Sequence, residues 1–362
     1  MRLWKKMTSA LVALCLVLSV ASSTMAAPTS AEVEAAYDRL KHFGIVAGVL
    51  MPDGSTSPAL DMTLTRAQLV TIIVRAFGEE PTAKVLQGAS AFPDVPGSHW
   101  ASGYLAVAKN IAANHNFAVG YPDGSFQPER TVTVVEALAF VMKFLGIEPG
   151  TGANWEADTV ARARAAGLIT AEDATKYLGT TSASATRGLA FGLIDTVFYN
   201  YASVDGLNVY QKYHDNEPPT LSLDPVPTNT SLSSVTISGT AGTDVDDVFV
   251  GSERVSVDAN GRFSVVVSLD PGVNEIEISA RDWAGNVDTK KVTISRGTGV
   301  ASKITVSLAD RNLKAGTAVD LDVKIVDDAG VDTGIKDFTV TIGGDIGTYA
   351  DGKFIAGGKV GR

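Results

Sequence analysis

Three short threonine-led motifs hold the residues best suited to chemistry: Thr65-Arg66-Ala67-Gln68, Thr133-Val134-Val135-Glu136 and Thr186-Arg187-Gly188-Leu189. The chemistry they suggest is anion recognition. A threonine just ahead of an apolar run caps a helix, its hydroxyl accepting from a backbone N–H that has no helical partner. Gln68 and Glu136, three residues on, complete a capping box, whereas Leu189 leaves the third copy half a cap. Arg66 and Arg187 then occupy the first helical position, where the helix dipole disfavours a cation by roughly 0.3–1 kcal/mol. A helix N-terminus with a guanidinium beside it makes a site for carboxylate or phosphate. The alternative is that each arginine reaches into solvent or pairs with a nearby acid. On the first reading, Arg66→Ala and Arg187→Ala each weaken binding and leave the fold intact.

The surroundings of the motifs repeat too, which signals a repeat array. Gly48, Asp53-Gly54 and Pro58 precede Thr65, and Gly120, Asp123-Gly124 and Pro128 precede Thr133. Pro52-Asp53-Gly54 and Pro122-Asp123-Gly124 are tight-turn signals, with glycine supplying positive φ. The third copy keeps Trp155, Gly167-Leu168-Ile169 and Thr186-Arg187 but lacks that turn.

Helices must position these motifs. Apolar residues recur at steps of three or four in Val33, Tyr37, Leu40 and Phe43, and in Leu69, Ile72, Ile73, Ala76 and Phe77. The same holds for Leu138, Val141, Met142 and Leu145, and for Leu193, Ile194, Val197 and Phe198. These stripes read as core. Gly78–Ser90 and Glu148–Asn154 read as linkers. After Tyr201 a polar stretch ends in Asn216-Glu217-Pro218-Pro219, and alternation takes over: Val235–Ser238, Val248–Val250, Phe263–Val267 and Ile276–Ser279. Period two with turns at Asn260-Gly261 and Pro271-Gly272 predicts short strands in a sandwich. A second strand-rich segment begins near Ser302, with Ile304–Ser307, Val319–Ile325 and Phe338–Ile342 as its strands.

Ala91-Phe92-Pro93-Asp94-Val95-Pro96-Gly97-Ser98-His99-Trp100, followed by Gly120-Tyr121-Pro122-Asp123-Gly124 and Thr133, resembles an S-layer homology repeat. The family signature is usually Thr-Arg-Ala-Glu, from which Thr65–Gln68 differs at one position. The resemblance implies three repeats around a pseudo-threefold axis, with ligand grooves between them. It also implies non-covalent binding of a secondary cell-wall polymer, commonly bearing a pyruvylated amino sugar, or of a peptidoglycan-linked polysaccharide. A pyruvyl ketal is a carboxylate, in keeping with the anion reading. Matched residue by residue, the groove candidates are Thr65, Arg66, Gln68, Thr133, Glu136, Thr186 and Arg187, with Gly48, Asp94, Trp100, Gly120 and Tyr121 at the family's other usual positions. Val134 stands where arginine is expected, and the first repeat lacks both the Phe-x-Asp opening and a tryptophan. Farther on, Gly261-Arg262-Phe263, Gly272-Val273-Asn274 and Asp282-Trp283-Ala284-Gly285-Asn286 are similar to bacterial immunoglobulin-like modules, which serve as spacers and lattice elements.

The expected fold is therefore multidomain, a mainly α-helical S-layer homology trimer followed by all-β immunoglobulin-like sandwiches. The expected division is a signal peptide at 1–26, repeats at 27–79, 91–147 and 154–201, a linker at 202–218, one immunoglobulin-like domain at 219–296 and a second, truncated one at 302–362. Arg2, Lys5 and Lys6 ahead of the apolar run Leu11–Val20, with small residues through Ala26, read as a secretory leader cleaved after Ala26. Losing its three cations takes the formal charge from −10 to about −13, which argues against nucleic acid as partner. Cys15 lies within the leader, so the mature chain has no cysteine. No second apolar stretch reaches membrane-spanning length.

Catalytic signatures are missing from the sequence. His42, His99, His115 and His214 are scattered, and neither a Gly-x-Ser-x-Gly elbow nor a phosphate loop occurs. No catalytic or metal residue is assigned. Calcium at Asp244, Asp246 and Asp247 or at Asp327-Asp328 is the one cofactor left open, against solvated turns. The sequence thus reads as a non-enzymatic, secreted protein of a Gram-positive surface layer, tethered to wall polymer and self-associating into a lattice. The competing reading is an exo-enzyme or adhesin with the same anchor, its functional domain lying beyond residue 362.

Overall fold

The computed structural model describes residues 27–179, 183–310, 312–335, 338–343 and 345–358. The leader expected at 1–26 lies outside them. The chain forms two compact units, one of residues 27–75 with 79–200, the other of residues 76–78 with the chain from 201 onward.

The first unit is helical, with α1 (Ser30–His42), α2 (Arg66–Ala76), α3 (Glu80–Val85), α4 (Ser102–Asn114), α5 (Val134–Phe144), α6 (Trp155–Ala165), α7 (Ala171–Leu178) and α8 (Arg187–Asn200). One small hairpin, β1 (Val49–Leu50) with β2 (Thr56–Ser57), follows α1. The apolar stripes face the core: Val33, Tyr37 and Leu40 on α1, Leu69, Ile72 and Ile73 on α2, Leu138, Val141 and Met142 on α5, and Leu193, Ile194, Val197 and Phe198 on α8 are buried. The stretch Gly78–Ser90, expected as linker, carries α3 instead. Pro81 sits in its first turn, where a missing N–H costs nothing, and Ala83 is buried.

The three threonine motifs meet at one place. Leu64, Val132 and Ala185 each sit one residue ahead of a capping threonine, and all three are fully buried. Leu64 N–H donates to Ala185 C=O (3.1 Å), Ala185 N–H to Val132 C=O (2.7 Å) and Val132 N–H to Leu64 C=O (3.0 Å). This closed ring of three main-chain bonds satisfies each buried donor and brings the N-termini of α2, α5 and α8 together. Bridges Thr63–Thr186, Thr65–Thr131 and Thr133–Ser184 flank it. Helices α1 and α8 also pair through Arg39 Nη1 and Asp195 Oδ2, 2.8 Å apart.

The second unit opens with α9 (Val209–Tyr213), a helix within the stretch expected as an extended linker. Asn208 and Gln211 form its capping box. The strands are β3 (Leu221–Leu223), β4 (Asn229–Thr230), β5 (Ser234–Ala241), β6 (Val245–Val250), β7 (Glu253–Val255), β8 (Arg262–Ser268), β9 (Gly272–Asp282), β10 (Val287–Arg296), β11 (Lys303–Leu308), β12 (Ala318–Val326), β13 (Gly347–Ala350) and β14 (Lys353–Ala356). Sheets β4-β10-β9-β6-β7 and β3-β5-β8 enclose a core of Leu221, Ile237, Val248, Phe263 and Ile278, a two-sheet sandwich. A further sheet, β11-β12-β14-β13, follows. Its register pairs Ile304 with Ile325, Val306 with Val323, Leu308 with Leu321 and Val319 with Phe354, so apolar residues share one face and Lys303, Asp320 and Asp322 the other. Phe338–Ile342, expected as a strand, joins no ladder, because β13 and β14 supply the pairing.

Candidate functional site

The expected caps form. Gln68 N–H donates to Thr65 Oγ1 (3.3 Å) and Thr65 N–H to Gln68 Oε1 (3.0 Å), and Thr133 and Glu136 make the same exchange. Leu189 N–H donates to Thr186 Oγ1 (3.2 Å) with nothing returned, which is the half cap the sequence implies.

The N-termini of α2 and α8 are nonetheless closed to an anion. Arg66 N–H donates to Arg130 C=O and Ala67 N–H to Pro128 C=O, each at 3.0 Å. Arg187 N–H donates to Met62 C=O and Gly188 N–H to Leu60 C=O. Neighbouring repeats thus use the donors that an anion would need. The two guanidiniums take neither course expected of them, since both donate to carbonyls. Arg66 Nε and Nη2 reach Phe126 C=O (2.8 Å) and Val119 C=O (3.2 Å), while Arg187 Nε and Nη2 reach Pro58 C=O (2.9 Å) and Ala47 C=O (3.0 Å).

Their surroundings differ. Arg66 is only 4% exposed, its guanidinium lying over the rings of Tyr121 (4.5 Å), Phe126 (4.8 Å) and Phe140 (4.9 Å). Burial pushes its pKa down from the usual value. Arg187 is partly exposed, with Phe191 as its ring contact at 4.8 Å, and lines a cleft of about 180 Å³. Ile45, Val46, Ala47, Gln68, Thr71, Ile72, Arg75 and Trp100 complete that cleft.

Three sequence candidates therefore come together: Gln68 from α2, Arg187 from α8 and Trp100 from the segment before α4. Trp100 is 50% exposed, and its indole stacks on the His99 ring. His99 is fixed by Ala101 N–H donating to Nδ1, with Nε2 3.0 Å from Glu129 Oε1. The sequence reading did not single out Arg75 and Thr71. They lie seven and three residues after Gln68, on the same helix face, and that spacing was the available signal. Arg75 Nε and Nη2 each sit 3.1 Å from Glu80 Oε1, to which Tyr104 OH also donates (2.6 Å). The Tyr104 hydrogen bond, then Arg75, holds Glu80 below the usual carboxylate range despite partial burial. The cleft thus presents two guanidiniums, an amide, a hydroxyl and an open indole face. That set suits a ring with an apolar face and a carboxylate.

The remaining candidates stand elsewhere. Asp94 accepts from Phe126 N–H (2.8 Å) and Gln127 N–H (2.7 Å), clamping the loop beneath Arg66. Tyr121 OH accepts from Arg130 Nη1 (2.6 Å), and Arg130 Nη1 also meets Glu136 Oε1 (2.7 Å). Gly48 and Gly120 are where chain segments approach closely. A Cβ on Gly120 would sit 2.8 Å from Ser125 C=O, and one on Gly48 3.1 Å from Thr56 Cβ.

Of the calcium candidates, Asp247 is engaged by Arg254 and Arg281, and Asp327 accepts from Ala329 and Val331 N–H. Asp244 instead lies with Asp215 and Asp282, their carboxylate oxygens within 4.8 Å of one another. Both Asp282 oxygens accept from Asn286. The second unit also has a hollow of about 590 Å³ that includes Asp246, Arg254 and Asp258 but no aromatic ring.

Comparison with known proteins agrees with the resemblance seen in the sequence. Residues 91–133 match the S-layer homology domain. Residues 219–297 match domain B of glucodextranase. The middle cell wall protein of Brevibacillus brevis is 30% identical over 53% of this chain and 18% of its own length. The surface layer protein of Brevibacillus choshinensis is 34% identical over 42% of this chain and 14% of its own. A cell surface protein of Thermoanaerobacter kivui is 32% identical over 46% and 21%. The chain thus spans about a fifth or less of these relatives' lengths. Among the described residues, no helix is long and apolar enough to cross a membrane.

Proposed function

We propose that this chain holds a surface-layer protein on the cell wall by non-covalent binding of a secondary wall polymer. The helical unit is the anchor, three repeats about a pseudo-threefold axis, with the closed ring of Leu64, Val132 and Ala185 supporting that arrangement. The β modules contribute to self-assembly of a lattice. The leader at residues 1–26 exports the chain.

One observation carries the proposal. In the unit whose residues 91–133 match the S-layer homology domain, Gln68, Arg75, Trp100 and Arg187 line one cleft. A pyruvylated amino sugar offers that cleft a sugar face for the indole and a carboxylate for the guanidiniums. Relatives named as cell-wall and surface-layer proteins fit the same role.

The test is co-sedimentation of the full chain with purified Gram-positive wall, before and after chemical removal of the secondary polymer. Binding that disappears with the polymer is the expected result. Binding that persists assigns the anchor to peptidoglycan, and no sedimentation with either wall overturns the proposal.

A further inference from the structure

We infer that the anchor takes one saccharide per chain, in the Arg187–Trp100 cleft, and that the corresponding place around Arg66 is closed by the chain's own side chains. This rests on the wall-polymer reading.

The three inter-repeat positions can be compared through their capping threonines. Seven residues past the cap, α2 carries Ile72 and α5 carries Phe140; one residue past the aligned glycines Gly48 and Gly120, repeat one has Val49 and repeat two has Tyr121. The larger pair is the one packed over a guanidinium: Tyr121 and Phe140 both lie within 5 Å of Arg66. Arg130 ties the closure down, bonding both Tyr121 OH and Glu136, the counterpart of Gln68. The counterpart of Arg75 is Lys143, whose ammonium donates to Ala118 C=O and whose pKa burial pushes down. Gln68, Arg75 and Arg187 thus have counterparts in Glu136, Lys143 and Arg66, held by Arg130, by Ala118 C=O and by two carbonyls beneath aromatic rings, while Thr71 is replaced by Ala139.

At the aligned positions the third site carries no charge. Val134 stands in place of arginine, Leu189 in place of Gln68 and Thr196 in place of Arg75. A Cβ at Gly192, the counterpart of Thr71, would fall 2.6 Å from the Tyr177 ring, so that space is filled as well. An anionic saccharide entering there would lose its hydration without gaining a charged side chain from these positions. Among the described residues, the Arg187 position combines a cleft, two guanidiniums and the half-exposed Trp100 indole.

The experiment is calorimetric titration of the full chain with oligosaccharide fragments of the secondary polymer released from Gram-positive wall. We expect one site per chain. Trp100→Ala and Arg187→Gln each weaken binding at least tenfold, while Arg130→Ala and Lys143→Ala stay within twofold of the parent. Thermal melting of each variant separates lost binding from lost fold. Two sites per chain, or loss of binding in the Arg130 or Lys143 variants with Trp100→Ala unaffected, overturns the single-cleft assignment and leaves wall anchoring standing. No binding by the unsubstituted chain overturns the wall-polymer reading, and the assignment falls with it.

Discussion

Arg66 and Arg187 occupy the same position in two copies of one motif, and each donates Nε and Nη2 to two carbonyls of a neighbouring repeat. Arg66 is 4% exposed beneath three aromatic rings, whereas Arg187 borders a cleft beside an open indole. The difference teaches that a repeat motif can preserve a scaffold contact in both arginine-bearing copies while leaving room for a ligand at one of them. What separates the two copies is the size of the residues around the guanidinium, not the arginine.

The sharpest way to break that comparison is to remove each guanidinium. Arg66→Ala abolishes two charge-assisted hydrogen bonds and strands two carbonyls in a buried site. At about 1.5–3 kcal/mol each, the expected loss of stability is about 3–6 kcal/mol. Arg187→Ala removes the same bonds where water can replace them, so about 1–2 kcal/mol is expected, together with loss of polymer binding. Denaturant unfolding of the two variants measures the contrast. Equal losses would mean that the burial difference has no energetic weight.

Closing the open copy is the next test. Val49→Tyr puts at Arg187 the ring that covers Arg66. Binding of polymer fragments should fall about tenfold, equivalent to about 1.4 kcal/mol, with the melting temperature little changed. Undiminished binding in calorimetry would show that the tyrosine position does not control access.

The caps give a smaller contrast. Thr133→Ala removes a reciprocal capping box and should cost about 1 kcal/mol. Thr186→Ala removes a single bond, from Leu189 N–H, and should cost about half as much. Unfolding midpoints order the two, and a larger loss at Thr186 would reverse the reading of the half cap.

Much of this was legible in the residues because it is local. A hydroxyl three residues from an amide writes a cap into the sequence, and apolar spacing wrote the buried faces of α1, α2, α5 and α8. The gathering of Gln68, Trp100 and Arg187 was legible only through the family resemblance, since their separations along the chain say nothing of proximity. The fate of the helix N-termini was not legible. It depended on carbonyls of Pro128, Arg130, Leu60 and Met62 arriving from neighbouring repeats to take the free N–H groups. Arg75 was readable in principle, by its helical phase with Gln68, but an arginine in a last turn is equally a dipole partner. The helix in Gly78–Ser90 hid behind Gly and Pro, which favour a break except where Pro falls in a first turn.

The smallest expected effect concerns acid. Asp94 clamps the loop under Arg66, and the first repeat has no corresponding carboxylate, so the two copies should respond differently to pH. Burial works to raise the Asp94 pKa, but donation from Phe126 and Gln127 N–H outweighs it and holds the group below the usual carboxylate range. A carboxylate depressed in the folded state contributes stability above its ordinary pKa and loses it as pH falls through the folded value. Acidification below the usual carboxylate range should therefore loosen Phe126 and Gln127 first, and Arg66 loses its Phe126 carbonyl partner with them. The segments under Arg187, at Ala47 and Pro58, should hold. Because the Asp94 side chain is exposed and screened, the effect should stay below about 1 kcal/mol. Asp94→Asn should remove the pH dependence while keeping part of the clamp, because an amide oxygen still accepts. Amide exchange read at Phe126 and Gln127 across the acid range measures it. Equal acid sensitivity at Ala47 would show that the asymmetry between the two arginine sites does not extend to the loops that hold them.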